Sequence, residues 1–158
     1  MAHCLLNVNS KVYGLALYEG VHQETVSRYM EAGTGIIQLP CPEMSFIGLK
    51  RWGMSKNQYD TINYRNHCKE ILIPIVEQLQ EYKANGYEIE AIVGVDGSPS
   101  CGIHFHSAGY TGGMVDKAQN QELHEAAGQG VFMEELTRLL TEKNLQIIYQ
   151  AINEKEHL

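Results

Sequence analysis

Apolar residues along this chain fall into two kinds of run that alternate: short unbroken ones, and longer ones spaced three and four residues apart. Residues 35–39 (Gly35-Ile36-Ile37-Gln38-Leu39), 91–95 (Ala91-Ile92-Val93-Gly94-Val95) and 145–149 (Leu145-Gln146-Ile147-Ile148-Tyr149) are of the first kind. Pro40 stops the first and Asp96-Gly97 the second, so each predicts a buried strand. The second kind predicts helices. Residues 22–32 are amphipathic through Val26, Tyr29 and Met30, with Gly33 placed to end the helix. Residues 65–83 carry Ile71, Leu72, Ile75, Val76, Leu79 and Tyr82 on one stripe, with a kink expected at Pro74. Residues 131–143 present Phe132, Leu136, Leu139 and Leu140. Leu5-Leu6 reads as part of a first strand, and with Cys4 so close to Met1 any strand ahead of it must be very short.

Strands read from unbroken apolar runs and alternating with helices predict an α/β fold, Rossmann-like and three-layered, around a small and mostly parallel sheet. The 158 residues carry no repeat or linker and predict one domain over 1–158. No apolar run approaches the roughly 20 residues that cross a bilayer, and the first residues turn polar too soon for a secretory signal. A cytoplasmic, reducing compartment is the expectation. The formal charge is −7 with no basic stripe, which argues against a large nucleic-acid partner, although one local arginine or helix end suffices for a single nucleotide. The protein is expected as a monomer or homodimer away from membranes.

Charge and compartment change how the four cysteines are read: in a reducing setting they are ligands, nucleophiles or core residues before they are disulfides. Cys41 and Cys101 follow predicted strands, in loops on the rim where α/β sheets bind ligands. Cys4 can reach the same rim if it ends a strand edge. The flanks of the two loop cysteines are stiffened. Pro40-Cys41-Pro42-Glu43 sets a carboxylate two residues from a thiol, and Asp96-Gly97-Ser98-Pro99-Ser100-Cys101-Gly102 surrounds the other with turn formers. Cys68 lies on the apolar stripe of the long helix and is read as core.

The segments His3-Cys4-Leu5-Leu6-Asn7, Leu39-Pro40-Cys41-Pro42-Glu43 and Gly94-Val95-Asp96-Gly97-Ser98-Pro99-Ser100-Cys101-Gly102 together resemble the signatures of the thiouracil desulfurase (TudS) family, over roughly residues 3 to 104. Arg51-Trp52-Gly53, Tyr59-Asp60 and Tyr64-Arg65 are similar to a TudS-like subgroup. The resemblance implies a 4Fe-4S cluster on Cys4, Cys41 and Cys101, and removal of sulfur from a small thiolated pyrimidine base or nucleotide. It places an acidic residue at Glu43 and a serine at Ser98 or Ser100, with Ser98 preferred. Three ligands leave one iron open as a Lewis acid for soft sulfur, with Glu43 as general base toward water and the serine orienting the base or the water. The expected enzyme is a 4Fe-4S-dependent desulfidase that cleaves a C–S bond by hydrolysis.

Other readings stay open on the sequence. One is a non-catalytic iron–sulfur module that senses redox state or sulfide. Another is a zinc site of three cysteines with His104 or His106 as fourth ligand. His104 and His106 alternate as on one face of a strand, either assisting proton transfer or facing solvent. Arg51-Trp52 offers a cation and a ring for a phosphate or a base, unless Trp52 packs into the core. Tyr110-Thr111-Gly112-Gly113 reads as a loop able to close over a ligand or as plain surface.

Overall fold

The computed structural model describes residues 1–114 and 121–157. Its helices are α1 (His3–Leu6), α2 (Gln23–Glu31), α3 (Pro42–Ile47), α4 (Lys56–Tyr59), α5 (Ile62–Ala84) and α6 (Val131–Glu142). The strands are β1 (Ile92–Val95), β2 (Phe105–Ala108), β3 (His124–Ala127) and β4 (Tyr149–Ile152). Single 3₁₀ turns cover Val8–Ser10 and Glu154–His157. The architecture is mixed α/β. Where the sequence predicts one mostly parallel sheet, the described strands form two pairs: β1 with β4 in parallel, and β2 with β3 antiparallel.

The strand at 91–95 forms where predicted. All four residues of β1 are buried, and Ile92 pairs with Tyr149 while Val95 pairs with Ile152. Pairing of the last strand starts at Tyr149 rather than Leu145, because Leu145 and Ile147 pack against the core before the ladder begins. Residues 35–39 belong to no strand pair. Their partner is the start of the chain: the Met1 amine donates to the Ile37 carbonyl at 2.9 Å, and the Leu39 N–H donates to the Met1 carbonyl at 2.8 Å. The Ala2 N–H then donates to the Val93 carbonyl at 2.8 Å. Met1 and Ala2 thus bridge residues 37–39 to β1, and the chain turns at once into α1, so Leu5-Leu6 is helical where a strand was expected.

The long helix runs from Ile62 to Ala84 with Pro74 inside it. Pro74 lies on the exposed face, where water can satisfy the Glu70 carbonyl that loses its helical partner. The buried stripe is Tyr64, Cys68, Leu72, Val76 and Leu79, at helical spacing. It meets the apolar face of α6, whose Phe132, Met133 and Leu136 are fully buried. Ile92 joins this cluster, whereas Val93 and Val95 pack with Leu5, Tyr29 and Ile152 in a second one. Strand β1 therefore feeds two cores, and Cys101 touches both. Arg65 ties α4, α5 and α6 together through Asp60, Glu134 and the buried Glu135. Among the described residues no helix is long and apolar enough to cross a membrane.

Candidate functional site

Where β1 ends, the chain makes a loop whose backbone donors are all engaged. The Val95 N–H donates to the Cys101 carbonyl at 2.9 Å, and the Gly102 N–H to the Ser98 carbonyl at 3.1 Å. The Ser98 hydroxyl oxygen accepts the N–H groups of Ser100 (3.3 Å) and Cys101 (3.0 Å). Asp96 Oδ1 accepts those of Ile103 (3.0 Å) and His104 (2.9 Å). These are the local bonds by which Ser and Asp favour turns over regular structure. The outer side of the loop caps α6: the Val131 N–H donates to the Pro99 carbonyl and the Phe132 N–H to the Ser100 carbonyl, both at 3.0 Å. Helix donors that lack intrahelical partners thereby hold the cysteine loop in place.

Cys41 is set by different means. It is the N-cap of α3, Pro42 occupies the first turn, and the Cys41 sulfur accepts the Met44 N–H at 3.4 Å. Cys4 lies in α1, with its carbonyl 3.1 Å from the Tyr18 hydroxyl. The three thiols arise from three separate segments and line one cavity of about 670 Å³, together with Glu43 and Ser98. Cys68 is outside that lining and fully buried in the main core, as predicted.

Glu43 is held from two sides. The Arg51 Nε–H donates to its Oε2 at 3.1 Å and the Tyr59 hydroxyl donates to the same oxygen at 3.2 Å. The other Arg51 nitrogens donate to the carbonyls of Gly48 (3.1 Å) and Ser10 (2.7 Å). Arg51 is 7% exposed, and Trp52, expected in the core or stacking on a base, is 71% exposed. Oε1 of Glu43 has no hydrogen-bond partner among the described residues. Ser100 is turned away from the cavity: it is fully buried and shares a 2.8 Å hydrogen bond with the Tyr64 hydroxyl. Of the two serines, Ser98 is the one on the cavity wall.

Burial dominates the electrostatics. It pushes the Cys4 thiol up from 9.0 to about 12; Lys11 opposes the shift, and Glu154, Cys41 and Glu43 add to it. Burial raises Cys41 as well, against the Met44 N–H, which favours its thiolate. Cys101 is raised by burial first, then by Cys4, Cys41 and Glu43. Cys41 thus disfavours ionisation of Cys4, and both disfavour that of Cys101, while Lys11 and Arg51, the cations that act on Cys4 and Cys41, are already paired with Glu154 and Glu43. Such a trio becomes anionic only around added positive charge. The His3 ring also lines the cavity, and its Nδ1 is buried without a partner. Soft donors, mutual repulsion and an orphaned ring nitrogen all fit a thiophilic metal group.

The zinc arrangement is not assembled. Among the described residues no three ligand-type side chains are grouped to hold a single ion. His104 is bound to Asp96 Oδ2 at 2.9 Å, and the buried His106 lies 3.0 Å from the Gly128 carbonyl; neither lines the cavity. An iron–sulfur cubane takes its cysteines at separate iron atoms and does not need them gathered on one ion.

The sequence profile of the family described as "Putative 2-thiouracil desulfurase" matches residues 21–151. The chain belongs to that family. Cys41, Glu43, Ser98, Ser100 and Cys101 fall inside the matched residues, and Cys4 precedes them. The uncharacterized protein MJ0003 of Methanocaldococcus jannaschii is 44% identical over 103 residues, 65% of this chain and 65% of its own length. The match thus spans just under two thirds of that relative. No solved structure matches the chain.

Sequence reasoning singled out the three cysteines that line the cavity but missed the residues around Glu43. Arg51 was visible as a free cation and, like Tyr59, as part of a subgroup signature.

The thiol shifts predict a pH response of the metal-free protein. An unfolded cysteine ionises near 9 while folded Cys4 keeps its proton to about 12, so between these values only the unfolded chain has lost it. The contribution is complete below about pH 9 and is lost as the pH rises toward 12. Urea midpoints should therefore fall more steeply from about pH 8 to about pH 10 in the wild type than in Cys4→Ala. Parallel declines in the two proteins would disprove the assignment.

Proposed function

We propose that this chain is a 4Fe-4S-dependent desulfidase that hydrolyses the thiocarbonyl of a small thiolated pyrimidine, with net conversion of C=S and water to C=O and hydrogen sulfide. The observation that carries this reading is the meeting of Cys4, Cys41 and Cys101, from three separate segments, with Glu43 and Ser98 on one cavity wall. A cluster bound by these three cysteines supplies a Lewis acid at its fourth iron, matched to soft sulfur. Everything else comes from the chain. Arg51 and Tyr59 fix Oε2 of Glu43, so Oε1 is the atom left to take the proton of the attacking water. The Ser98 oxygen already accepts two backbone N–H groups, so its own hydrogen is free to be donated toward water or substrate oxygen. The same reading takes β1, which feeds two separate cores, as the reduced centre of a Rossmann-like three-layer fold.

Anaerobic reconstitution with iron and sulfide, followed by addition of 2-thiouracil and measurement of released sulfide, tests the proposal. Visible iron–sulfur absorption and stoichiometric uracil and sulfide are expected. Protein that takes up no iron, or holds a cluster and releases no sulfide from any thiolated pyrimidine, would count against it. Glu43→Gln should keep the absorption and lower turnover by roughly 10²–10⁴-fold, the usual worth of a general base.

A further inference from the structure

We propose that two copies of this chain pair through the outer edge of β4, antiparallel about a two-fold axis at Ile148, and so join two parallel pairs into one four-stranded sheet. The edge follows from the ladder. The carbonyls of Ile148 and Ile152 accept the N–H groups of Ile92 (2.9 Å) and Asp96 (3.0 Å), so both residues turn their backbone toward β1. Backbone groups alternate sides along a strand, so the N–H and carbonyl of Ile147, Tyr149 and Ala151 point the other way. Among the described residues β4 has no strand partner but β1. Half-buried Leu145 and Ile147 alternate with exposed Gln146 and Ile148, which carries the strand pattern back past the start of the ladder. Edges of this kind are normally guarded by charge, proline or a bulge. Strand β3 has such a guard in the exposed His124 and Glu125. The edge of β4 has none: the ten residues from Asn144 to Asn153 include no charge, proline or glycine. Beyond its ends, Glu142 is bound to Arg138, Glu154 to Lys11 and Lys155 to Glu125.

A neutral edge selects neither an acidic nor a basic guest, but it matches a second copy of itself. Read outward from Ile148 in both directions, the residues are of like kind: Ile147 and Tyr149, Gln146 and Gln150, Leu145 and Ala151. An antiparallel copy therefore sets Ile148 against its own counterpart, Gln146 against Gln150, and the outward backbone of Ile147 against that of Tyr149. Ile148 is 63% exposed and lies on the axis as a non-hydrogen-bonded pair, the kind whose side chains stand closest. Gln150 Oε1 accepts the Tyr29 hydroxyl at 2.7 Å, which leaves its amide nitrogen to donate to Gln146 of the second copy. On the opposite face a groove of about 480 Å³ runs between α6 and this edge, lined by Leu140, Leu145, Ile147 and Tyr149. The apolar side chains of the second copy's edge fall on that same face and fill it. Such a self-matching contact closes on itself and uses up both edges at once.

Neither Ile148 nor Tyr149 lines the cysteine cavity, so the test uses the full chain and does not depend on a cluster. Sedimentation at micromolar concentration should give twice the mass of the chain. Ile148→Lys and Ile148→Glu should each raise the dissociation constant by roughly 100-fold or more, because two apolar contacts are lost and two like charges meet. Mixed in equal amounts, the two variants should recover a heterodimer, which misfolded chains cannot do. Ile62→Lys, at a site 80% exposed on the first turn of α5, should leave the dimer intact. In hydrogen exchange the Tyr149 and Ala151 amides should be protected in the dimer and unprotected in Ile148→Lys, with Gln150 and Ile152 protected in both. A wild type with the mass of one chain overturns the inference. So does a dimer that Ile148→Lys leaves intact, or lysine and glutamate variants that stay apart when mixed. A monomer with a protected Tyr149 amide also overturns it, and means that the chain's own residues cover the edge. None of these outcomes bears on the desulfidase reading.

Discussion

Cys101→Ala is expected to abolish both iron–sulfur absorption and sulfide release, a larger effect than loss of the general base. Of the three candidate ligands, Cys101 is placed most rigidly. Its N–H is bound to the Ser98 hydroxyl and its carbonyl to the Val95 N–H, while the loop around it caps α6. Its side chain contacts both cores as well as the cavity. A cluster left with only Cys4 and Cys41 would gain a second open iron and fall apart in water. The fold should survive, because Cys101 is not among the fully buried side chains and alanine keeps its backbone bonds. Iron content, the visible spectrum and thiouracil turnover are the measurements, with circular dichroism to verify folding. Cys68→Ala is the control: that thiol is fully buried off the cavity, so iron content should stay at the wild-type level. A Cys101→Ala protein that keeps its absorption, or a Cys68→Ala protein that loses it, would refute the ligand assignment.

What the sequence revealed and what it hid follow from how local each signal is. The helices at α2, α5 and α6 and the strand β1 are written in the spacing of apolar residues, and all four formed close to their predicted bounds. Residues 35–39 carry the same apolar signal, yet their neighbour is the two-residue start of the chain, too short to show as a strand in any pattern. Strand β3 was hidden for the opposite reason. His124-Glu125-Ala126-Ala127 is largely exposed and lacks branched or aromatic residues, so only its register with β2 makes it a strand. The site divides in the same way. Cysteines beside prolines and glycines announce themselves, because stiffened loops need those residue types. Arg51, read only as a cation for a ligand, is buried because Glu43 and two carbonyls await it, and Trp52, left open between core and ligand contact, faces solvent. No periodicity encodes such a pairing. That Ser98 lines the cavity while Ser100 is turned to the Tyr64 hydroxyl, 36 positions away in the chain, was likewise beyond any local pattern.

The second large effect is structural and reaches the site through a glycine. Gly94→Ala is expected to destabilise the protein by about 3 kcal/mol or more, at or above the upper end for overpacking a core. A Cβ on Gly94 would stand 2.5 Å from the Cys101 carbonyl oxygen and 2.6 Å from the Ile103 side chain. The oxygen is backbone, fixed by its bond to Val95, so it cannot swing aside as a flexible side chain would. Either β1 must leave its register with β4, or the 96–104 loop must lift off the strand and carry Cys101 away from the cavity. The second route also breaks the cap on α6. For a chain of this size the loss corresponds to roughly 6–12 °C in melting temperature, and metal uptake should fall with it. Gly35→Ala separates this clash from a generic effect of removing a glycine. A Cβ there meets nothing within 4 Å, and its backbone lies outside the left-handed region, so stability should be unchanged or rise by up to about 1 kcal/mol. Thermal melts and iron content of the two variants decide the matter: if Gly94→Ala is as benign as Gly35→Ala, the cysteine loop is not seated on β1 as described.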